Sequence, residues 1–135
     1  MGTSSWTDFL DNPEALQDLY GRTVPRLDSC DLFFLLADER QNSITVGFST
    51  TDLPQHTPSE SNPGGFNSLE FYLTFIEISE MSMQGWKGPG QRRVEINYLP
   101  TGNLAVGMKS EGSNLRFVAD SVSVTKIRTS LTSPY

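Results

Sequence analysis

The fold is decided by residues 66–86, FNSLEFYLTFIEISEMSMQGW, the longest stretch of the chain that is dense in large apolar side chains. Every second residue across 69–75 is apolar, whereas Glu70 marks the other face, and this alternation is typical of a strand with one buried face. A helix also fits part of the stretch, but it would leave Phe71 and Phe75 in water. We therefore predict a strand whose phenylalanines lie at the centre of the core.

The alternation changes phase after this strand. The apolar positions move to Ile76 and Ile78 and then back to Met81 and Met83, and each change predicts a bulge or a bend. If the phenylalanines point inward, the outward side chains form an acidic strip that contains one aromatic residue: Glu70, Tyr72, Glu77, Ser79 and Glu80. Such a strip suits a partner that is rich in Arg and Lys, with the tyrosine as an anchor.

The length of 135 residues predicts one domain over residues 1–135. Within it we expect an N-terminal helical segment at 5–21, a β-rich body at 28–129 and a long loop at 52–66. The chain contains no apolar run long enough for a membrane helix, and its first residues lack the pattern of a signal peptide. We expect a cytoplasmic protein that does not bind membranes.

Charge is distributed unevenly along the chain. Residues 1–84 contain 13 acidic and 3 basic residues, whereas residues 85–135 contain 3 acidic and 7 basic residues. If the two parts are also separate in space, the molecule has an acidic side, which repels nucleic acid and attracts basic partners. The alternative is that the acidic residues only keep a modest core soluble.

The remaining segments predict an N-terminal helix followed by short strands. Asn12 and Pro13 predict a helix start, with Asn12 as the cap, and Gly21 predicts its end. The continuous apolar run at 32–37 predicts a strand buried on both faces and covered by that helix. Turns recur about every ten residues after residue 90, which is typical of an antiparallel meander. We predict an α+β, mostly β fold, an antiparallel twisted sheet or sandwich-like meander of about 7–8 strands with the helix on one face.

The residue inventory argues against an enzyme. Cys30 is the only cysteine and His56 the only histidine, so the usual zinc ligand sets cannot be built, and we read Cys30 as a buried structural thiol. His56 lies in a Pro- and Ser-rich loop that would hold a catalytic base poorly. The segment 87–93, KGPGQRR, lacks the spacing of a phosphate-binding loop. We expect no catalytic residues, no metal and no cofactor.

One family resemblance extends over most of the chain. It rests on these residues of the N-terminal third: Trp6, Phe9, Leu10, Asn12, Pro13, Leu16, Leu19, Tyr20, Pro25, Arg26 and Leu27. A Pro-containing loop, the strand from Leu69 and the pair Gly85 and Trp86 continue the pattern. The chain thereby resembles the immunity proteins of bacterial polymorphic toxin systems, most closely the group called immunity protein 50. The resemblance implies a non-enzymatic cytoplasmic protein that binds and blocks one toxin domain.

The resemblance brings no binding residues, so the partner site is inferred from the acidic side chains themselves. We predict contacts from Glu70, Tyr72, Glu77 and Glu80, and from Asp52 and Glu60 of the long loop. This site suggests a basic toxin, with a nuclease as the obvious candidate, and a monomer or weak homodimer. Two alternatives stay open: a small-molecule or glycan-binding β module with a pocket lined by Trp86 and Tyr98, and a self-associating structural domain.

Overall fold

The computed structural model describes residues 6–21, 23–54, 67–85 and 88–130. One α-helix, α1, spans Glu14–Tyr20, and 3₁₀ turns occupy Trp6–Phe9 and Leu27–Ser29. The strands are β1 (Asp31–Asp38), β2 (Ser43–Thr50), β3 (Ser68–Ile76), β4 (Ser79–Gln84), β5 (Gly90–Gln91), β6 (Arg93–Tyr98), β7 (Leu104–Ser110), β8 (Ser113–Ala119) and β9 (Ser121–Ser130).

The strands form two antiparallel sheets. The first sheet has the order β5-β1-β2-β3-β9, and the second has the order β4-β8-β7-β6. This confirms the predicted mostly β fold with a helix near the N-terminus. The described residues form nine strands because the glycine-rich segment after residue 87 contributes the two-residue strand β5 to the edge of the first sheet.

The core lies between the two sheets and is centred on β3. Its inward side chains, Leu69, Phe71, Leu73 and Phe75, are all at most 1% exposed, as the alternation predicts. Phe71 stacks on Phe48 of β2 with ring centroids 5.7 Å apart. Phe75 meets Phe117 of β8 edge to face at 5.0 Å, which ties the first sheet to the second.

The predicted phase change after β3 is the point where the chain passes from the first sheet to the second. β3 ends at Ile76, and Glu77 takes a positive φ of 57° before β4 begins in the other sheet. Glu80 also has a positive φ, 53°, within the interval where the pairing of β4 with β8 shifts register. The residues after Ile76 therefore do not continue the face on which Glu70 lies.

The N-terminal segment packs on the inner face of the first sheet. The Trp6 ring stacks on Phe71 at 5.9 Å, and Leu16 of α1 is fully buried. Leu10 forms a parallel bridge to Val122 of β9. The segment therefore shares the core with both sheets and closes one side of it.

The prediction that Asn12 caps α1 through its side chain is wrong. Pro13 occupies the cap position, and no side chain bonds to the free backbone groups there. The Asn12 amide turns instead to β9, where it exchanges two hydrogen bonds with the backbone of Val124. A long-range bond to an edge strand has replaced the local one.

The prediction that β1 is buried on both faces is also wrong. Leu32 is buried, but Phe34 is 38% exposed and Leu36 is 50% exposed. The reason is that the helical segment covers the inner side of the first sheet, at β3 and β9, so that no described residue covers the outer side of β1.

The proposed division into segments and loop stays a prediction. Of the loop at 52–66, residues 55–66, which include His56 and Glu60, lie outside the described residues, as does Trp86.

Candidate functional site

Four apolar side chains cluster on the outer face of the first sheet, the face turned away from the second sheet. We call Phe33, Phe34, Leu36 and Tyr72 the aromatic patch. The Tyr72 ring packs edge to face against Phe34 and against Phe33, with ring centroids 5.4 Å and 5.8 Å apart. Single exposed apolar residues are ordinary on protein surfaces, whereas large contiguous apolar patches are typical of interaction sites.

Gly47 of β2 allows these rings to meet. It lies between the two strands of the patch, directly opposite Phe34 of β1 and Tyr72 of β3. A Cβ atom on Gly47 would lie 2.9 Å from Phe34 Cβ and 2.9 Å from Tyr72 Cε2. Since real Cβ atoms do not approach other heavy atoms this closely, any larger residue would push the rings apart.

A β-bulge in β1 brings both phenylalanines to the tyrosine. The pairing with β2 shifts between Leu32, opposite Phe48, and Phe34, opposite Gly47, which leaves Phe33 as the extra residue. A bulge of this kind redirects side chains relative to a regular strand. Without the shift, adjacent phenylalanines would point to opposite faces.

A row of threonine hydroxyls continues the outer face beside the patch. Thr45 and Thr74 are linked across the strands by a hydrogen bond of 3.0 Å, and Thr74 and Thr125 by one of 2.9 Å. Together with Tyr72 and Leu36 they line an open groove of about 350 Å³. The groove therefore has an apolar wall and a wall of hydroxyls that are already bonded to each other.

Basic residues of β9 lie along the same face. Lys126 Nζ is 5.7 Å from the centroid of the Tyr72 ring, and Arg128 Nε is 3.3 Å from Glu70 Oε1. The Glu70 side chain is only 20% exposed. Two basic residues of the C-terminal part of the sequence thus lie beside Glu70, the one acidic residue of β3, so that acidic and basic residues are not separate at this face.

The structure does not bring the predicted site residues together on one face. Glu70 and Tyr72 share the outer face of the first sheet, whereas Glu77 lies exposed at the crossover and Glu80 lies exposed on β4 of the second sheet. Glu70 already forms an ion pair within the chain, with Arg128.

Asp52 lies exposed just after β2, and its backbone rather than its carboxylate makes the bonds that the structure describes. Its carbonyl accepts a hydrogen bond of 2.7 Å from the Tyr20 hydroxyl, and its N–H donates to Thr50 Oγ1 at 2.9 Å. Burial, with a smaller contribution from the Asp52 charge, raises the pKa of Tyr20. Asp52 thus holds the end of α1 against β2.

The N-terminal segment has an acidic surface, and none of its residues was among the predicted binding residues. Four exposed carboxylates lie on the N-terminal segment, and residues 6–21 contain no basic residue: Asp8, Asp11, Glu14 and Asp18. The sequence could have indicated this acidic surface, because its four residues occupy the polar positions around the buried Leu16 and Tyr20.

Cys30 is confirmed as a buried thiol. It is fully buried, its Sγ donates to the Arg26 carbonyl at 3.4 Å, and burial raises its pKa from 9.0 to about 11. Such a thiol is a poor nucleophile at neutral pH. No group of three or more metal-binding side chains occurs within the described ranges.

One small cavity lies between the sheets in the described part of the chain. Near Leu35 and Met83 it measures about 20 Å³, room for one water molecule. Tyr98, predicted to line a ligand pocket with Trp86, is 62% exposed and packs against Phe9 at 4.9 Å.

Comparison of the chain with curated proteins and with solved structures gives no match. None of the helices in the described parts of the chain is long and apolar enough to cross a membrane. The sequence model of one family, described as immunity protein 50, matches residues 12–130. Because this match covers most of the chain, the protein belongs to the immunity protein 50 family.

Proposed function

We propose that this chain binds and neutralises a cognate toxin domain of a bacterial polymorphic toxin or contact-dependent competition system. Its membership of a family of immunity proteins, which are generally not enzymes, supports a function through protein–protein binding. The aromatic patch is the observation that carries the choice of surface. It offers a tyrosine and two phenylalanines in mutual contact on one face of a sheet.

The patch has the properties of an interface centre. Tyrosine is enriched among residues that dominate binding energies, and the most effective ones lie in the middle of a contact where water is excluded. Tyr72 is surrounded by Phe33, Phe34 and Lys126, so a partner that covers it would also cover apolar surface on two sides. The sheet fixes these side chains before binding, which lowers the entropic cost of association.

We further propose that the toxin domain is basic, with a nuclease as the leading candidate. The support is the net charge of −6 and the four exposed acidic residues of the N-terminal segment, which no base within residues 6–21 offsets. Opposite charge raises the rate at which two proteins meet, and early capture matters if the toxin damages the cell. A nuclease carries a positive cleft for its substrate. Inhibition then requires the immunity protein in the cytoplasm, where such a toxin acts.

The test is rescue of growth. The C-terminal domain encoded by the neighbouring reading frame is expressed in a sensitive host with and without this chain, and the complex is isolated from lysates through a tag on the toxin domain. We expect rescue and a complex of the two chains. If growth is not rescued and the chains do not copurify, the proposal is wrong for that partner pair.

The surface is tested by two tyrosine variants. Tyr72→Ala removes the centre of the patch, and we expect the dissociation constant to rise about 30-fold, the effect of an interface residue worth about 2 kcal/mol. Tyr98→Ala is the matched control, because Tyr98 is an exposed tyrosine on β6 of the other sheet. Equal effects of the two substitutions would place the toxin elsewhere.

A further inference from the structure

Among the described residues that line the groove on the outer face, only Lys126 is charged. The threonine hydroxyls of the groove are bonded to each other, Thr45 to Thr74 and Thr74 to Thr125. The remaining lining side chains are aromatic or aliphatic. The ammonium group of Lys126 is therefore the charged donor that the groove offers to a partner.

A second β-bulge brings Lys126 into the groove. The pairing of β3 with β9 shifts register after Tyr72, which lies opposite Lys126, and this shift leaves Thr125 as the extra residue of β9. Consecutive residues of a regular strand point to opposite faces, but here Thr125 and Lys126 both line the groove. With the bulge at Phe33 in β1, irregular backbone redirects side chains on both sides of Tyr72.

No carboxylate among the described residues forms an ion pair with Lys126. Its neighbour across the strands is Tyr72, whose ring attracts the ammonium group at 5.7 Å but carries no charge to neutralise it. Glu70 lies one outward position farther along β3, and it is already bound to Arg128 at 3.3 Å. Lys126 is therefore available to a carboxylate of a partner.

The surroundings of Tyr72 carry a positive charge although the chain has a net charge of −6. Glu70 and Arg128 offset each other, which leaves the charge of Lys126. The other acidic residues of the first sheet are Asp31 and Asp38, at the two ends of β1. β1 is three strands away from β9, about 14 Å, which exceeds the screening length of about 8 Å at physiological salt.

We infer that the toxin segment that covers Tyr72 presents a carboxylate to Lys126, beside an apolar side chain that lies in the groove against Phe34 and Leu36. The inference rests on the proposed function and names the chemistry of the partner at the aromatic patch. A partner that covers Tyr72 also removes water from Lys126, and a charge that loses its water must be paired. A carboxylate is the side chain that pairs with an ammonium group through short, charge-assisted hydrogen bonds.

The inferred segment lies outside the positive cleft of a basic toxin. A cleft rich in Lys and Arg would bring like charges against Lys126, which opposes binding. The acidic side chains that attract such a toxin lie on the N-terminal segment, which packs on the inner face of the same sheet. Attraction and tight contact are thereby assigned to different surfaces of the chain.

The test compares two charge reversals, Lys126→Glu and Lys109→Glu, in binding to the toxin domain encoded by the neighbouring reading frame. Lys109 is an exposed lysine on β7 of the second sheet, so both substitutions change the net charge equally. We expect Lys126→Glu to raise the dissociation constant about 100-fold, mainly through faster dissociation. Lys109→Glu should leave it unchanged or lower it, because added negative charge favours a basic partner.

A second substitution separates charge from folding. Lys126→Met keeps the length of the side chain without its charge, and we expect the dissociation constant to rise about tenfold. All variants are first shown to unfold with a normal urea transition. A complex that is tighter with Lys126→Glu, or as tight as with Lys109→Glu, would overturn the inference and leave the proposed function standing. Absence of any complex with the unmodified chain would contradict the proposed function and this inference with it.

Charge reversal on the toxin identifies the partner group. Exposed Asp and Glu residues of the toxin domain are replaced by Lys one at a time. One of these variants is expected to bind the unmodified chain more weakly and to restore at least about tenfold of the affinity for Lys126→Glu. If every toxin variant binds Lys126→Glu as weakly as the original toxin domain does, the inferred ion pair does not exist.

Discussion

The side-chain amide of Asn12 is bound at both ends by the backbone of Val124, 112 residues later in the chain. Asn12 Nδ2 donates to the Val124 carbonyl and the Val124 N–H donates to Asn12 Oδ1, each at 2.9 Å. This pair imitates the exchange that a neighbouring strand would make, so it occupies part of the edge of β9. It joins the start of the helical segment to the last strand.

Substitution of Asn12 distinguishes this clamp from a helix cap. Asn12→Ala leaves two backbone groups of Val124 without partners, and we expect a loss of about 2 kcal/mol in the free energy of unfolding. Asn12→Ser keeps a good capping residue but cannot bond both groups, so most of the loss should remain. Urea denaturation measures both, with the exposed Asn97→Ala as the control. Full stability of Asn12→Ser would show that capping is its role.

Two glycines test whether the aromatic patch depends on close packing. Gly47→Ala places a methyl group against Phe34 and Tyr72, and we expect a loss of about 1–3 kcal/mol, the usual cost of overpacking. Gly107→Ala on β7 meets no atom within 4 Å and should change stability by less than about 0.5 kcal/mol. Chemical denaturation gives the free energies, and the ring signals of Tyr72 report the local change. Equal stabilities of the two variants would contradict the described packing.

The buried thiol predicts a loss of stability at alkaline pH. The unfolded chain loses the Cys30 proton near pH 9.0, whereas the folded chain keeps it until about pH 11 because burial raises the pKa. The unfolded state then binds fewer protons, so stability is full below pH 9 and falls as the pH rises toward 11. Tyr20, whose pKa is raised in the same direction, adds to the loss.

Unfolding free energies measured between pH 8 and pH 11 check this expectation. Cys30→Ala is expected to be less stable at neutral pH, because it loses packing, but its stability should fall less steeply between pH 9 and 11 than that of the original chain. Parallel curves for the two proteins would rule out the thiol as the titrating group.

The acidic N-terminal segment predicts a salt-dependent association rate with a basic toxin domain. Replacement of its carboxylates by amides, at Asp8, Asp11, Glu14 and Asp18, is expected to lower the association rate about tenfold at low salt and to flatten its salt dependence. The dissociation rate should change little. Glu39 and Glu111, exposed acids in two turns, provide the control when replaced by Gln. Stopped-flow mixing with the toxin domain measures both rates, and unchanged association would exclude this surface from steering.

The centre of the fold could be predicted from the sequence because it rests on local alternation. The alternation within β3 identifies which of its side chains are buried, and Tyr72 lies on the outer face as the period of two requires. The continuous apolar run of β1 was ambiguous, because the same pattern describes a strand buried on both faces and a strand that leaves Phe34 and Leu36 exposed.

The rest of the site depends on distant pairings and on irregular backbone. Lys126 lies over Tyr72 only because β9 adds to β3, a register set across more than 50 residues that no local pattern specifies. The separation of Glu77 and Glu80 from Glu70 follows from positive φ angles at non-glycine residues, which sequence does not signal. Nothing in the alternation of β1 marked Phe33 as the bulged residue.

The position of β9 sets the order in which a newly made chain can fold. The first sheet needs residues 121–130 to cover the edge of β3, and the helical segment needs Val122 and Val124 to anchor it. Until the ribosome has released this strand, the edge of the apolar strand β3 is exposed, and its outer face lacks Lys126. Under the proposed function, protection against the toxin therefore begins only after β9 has been synthesised.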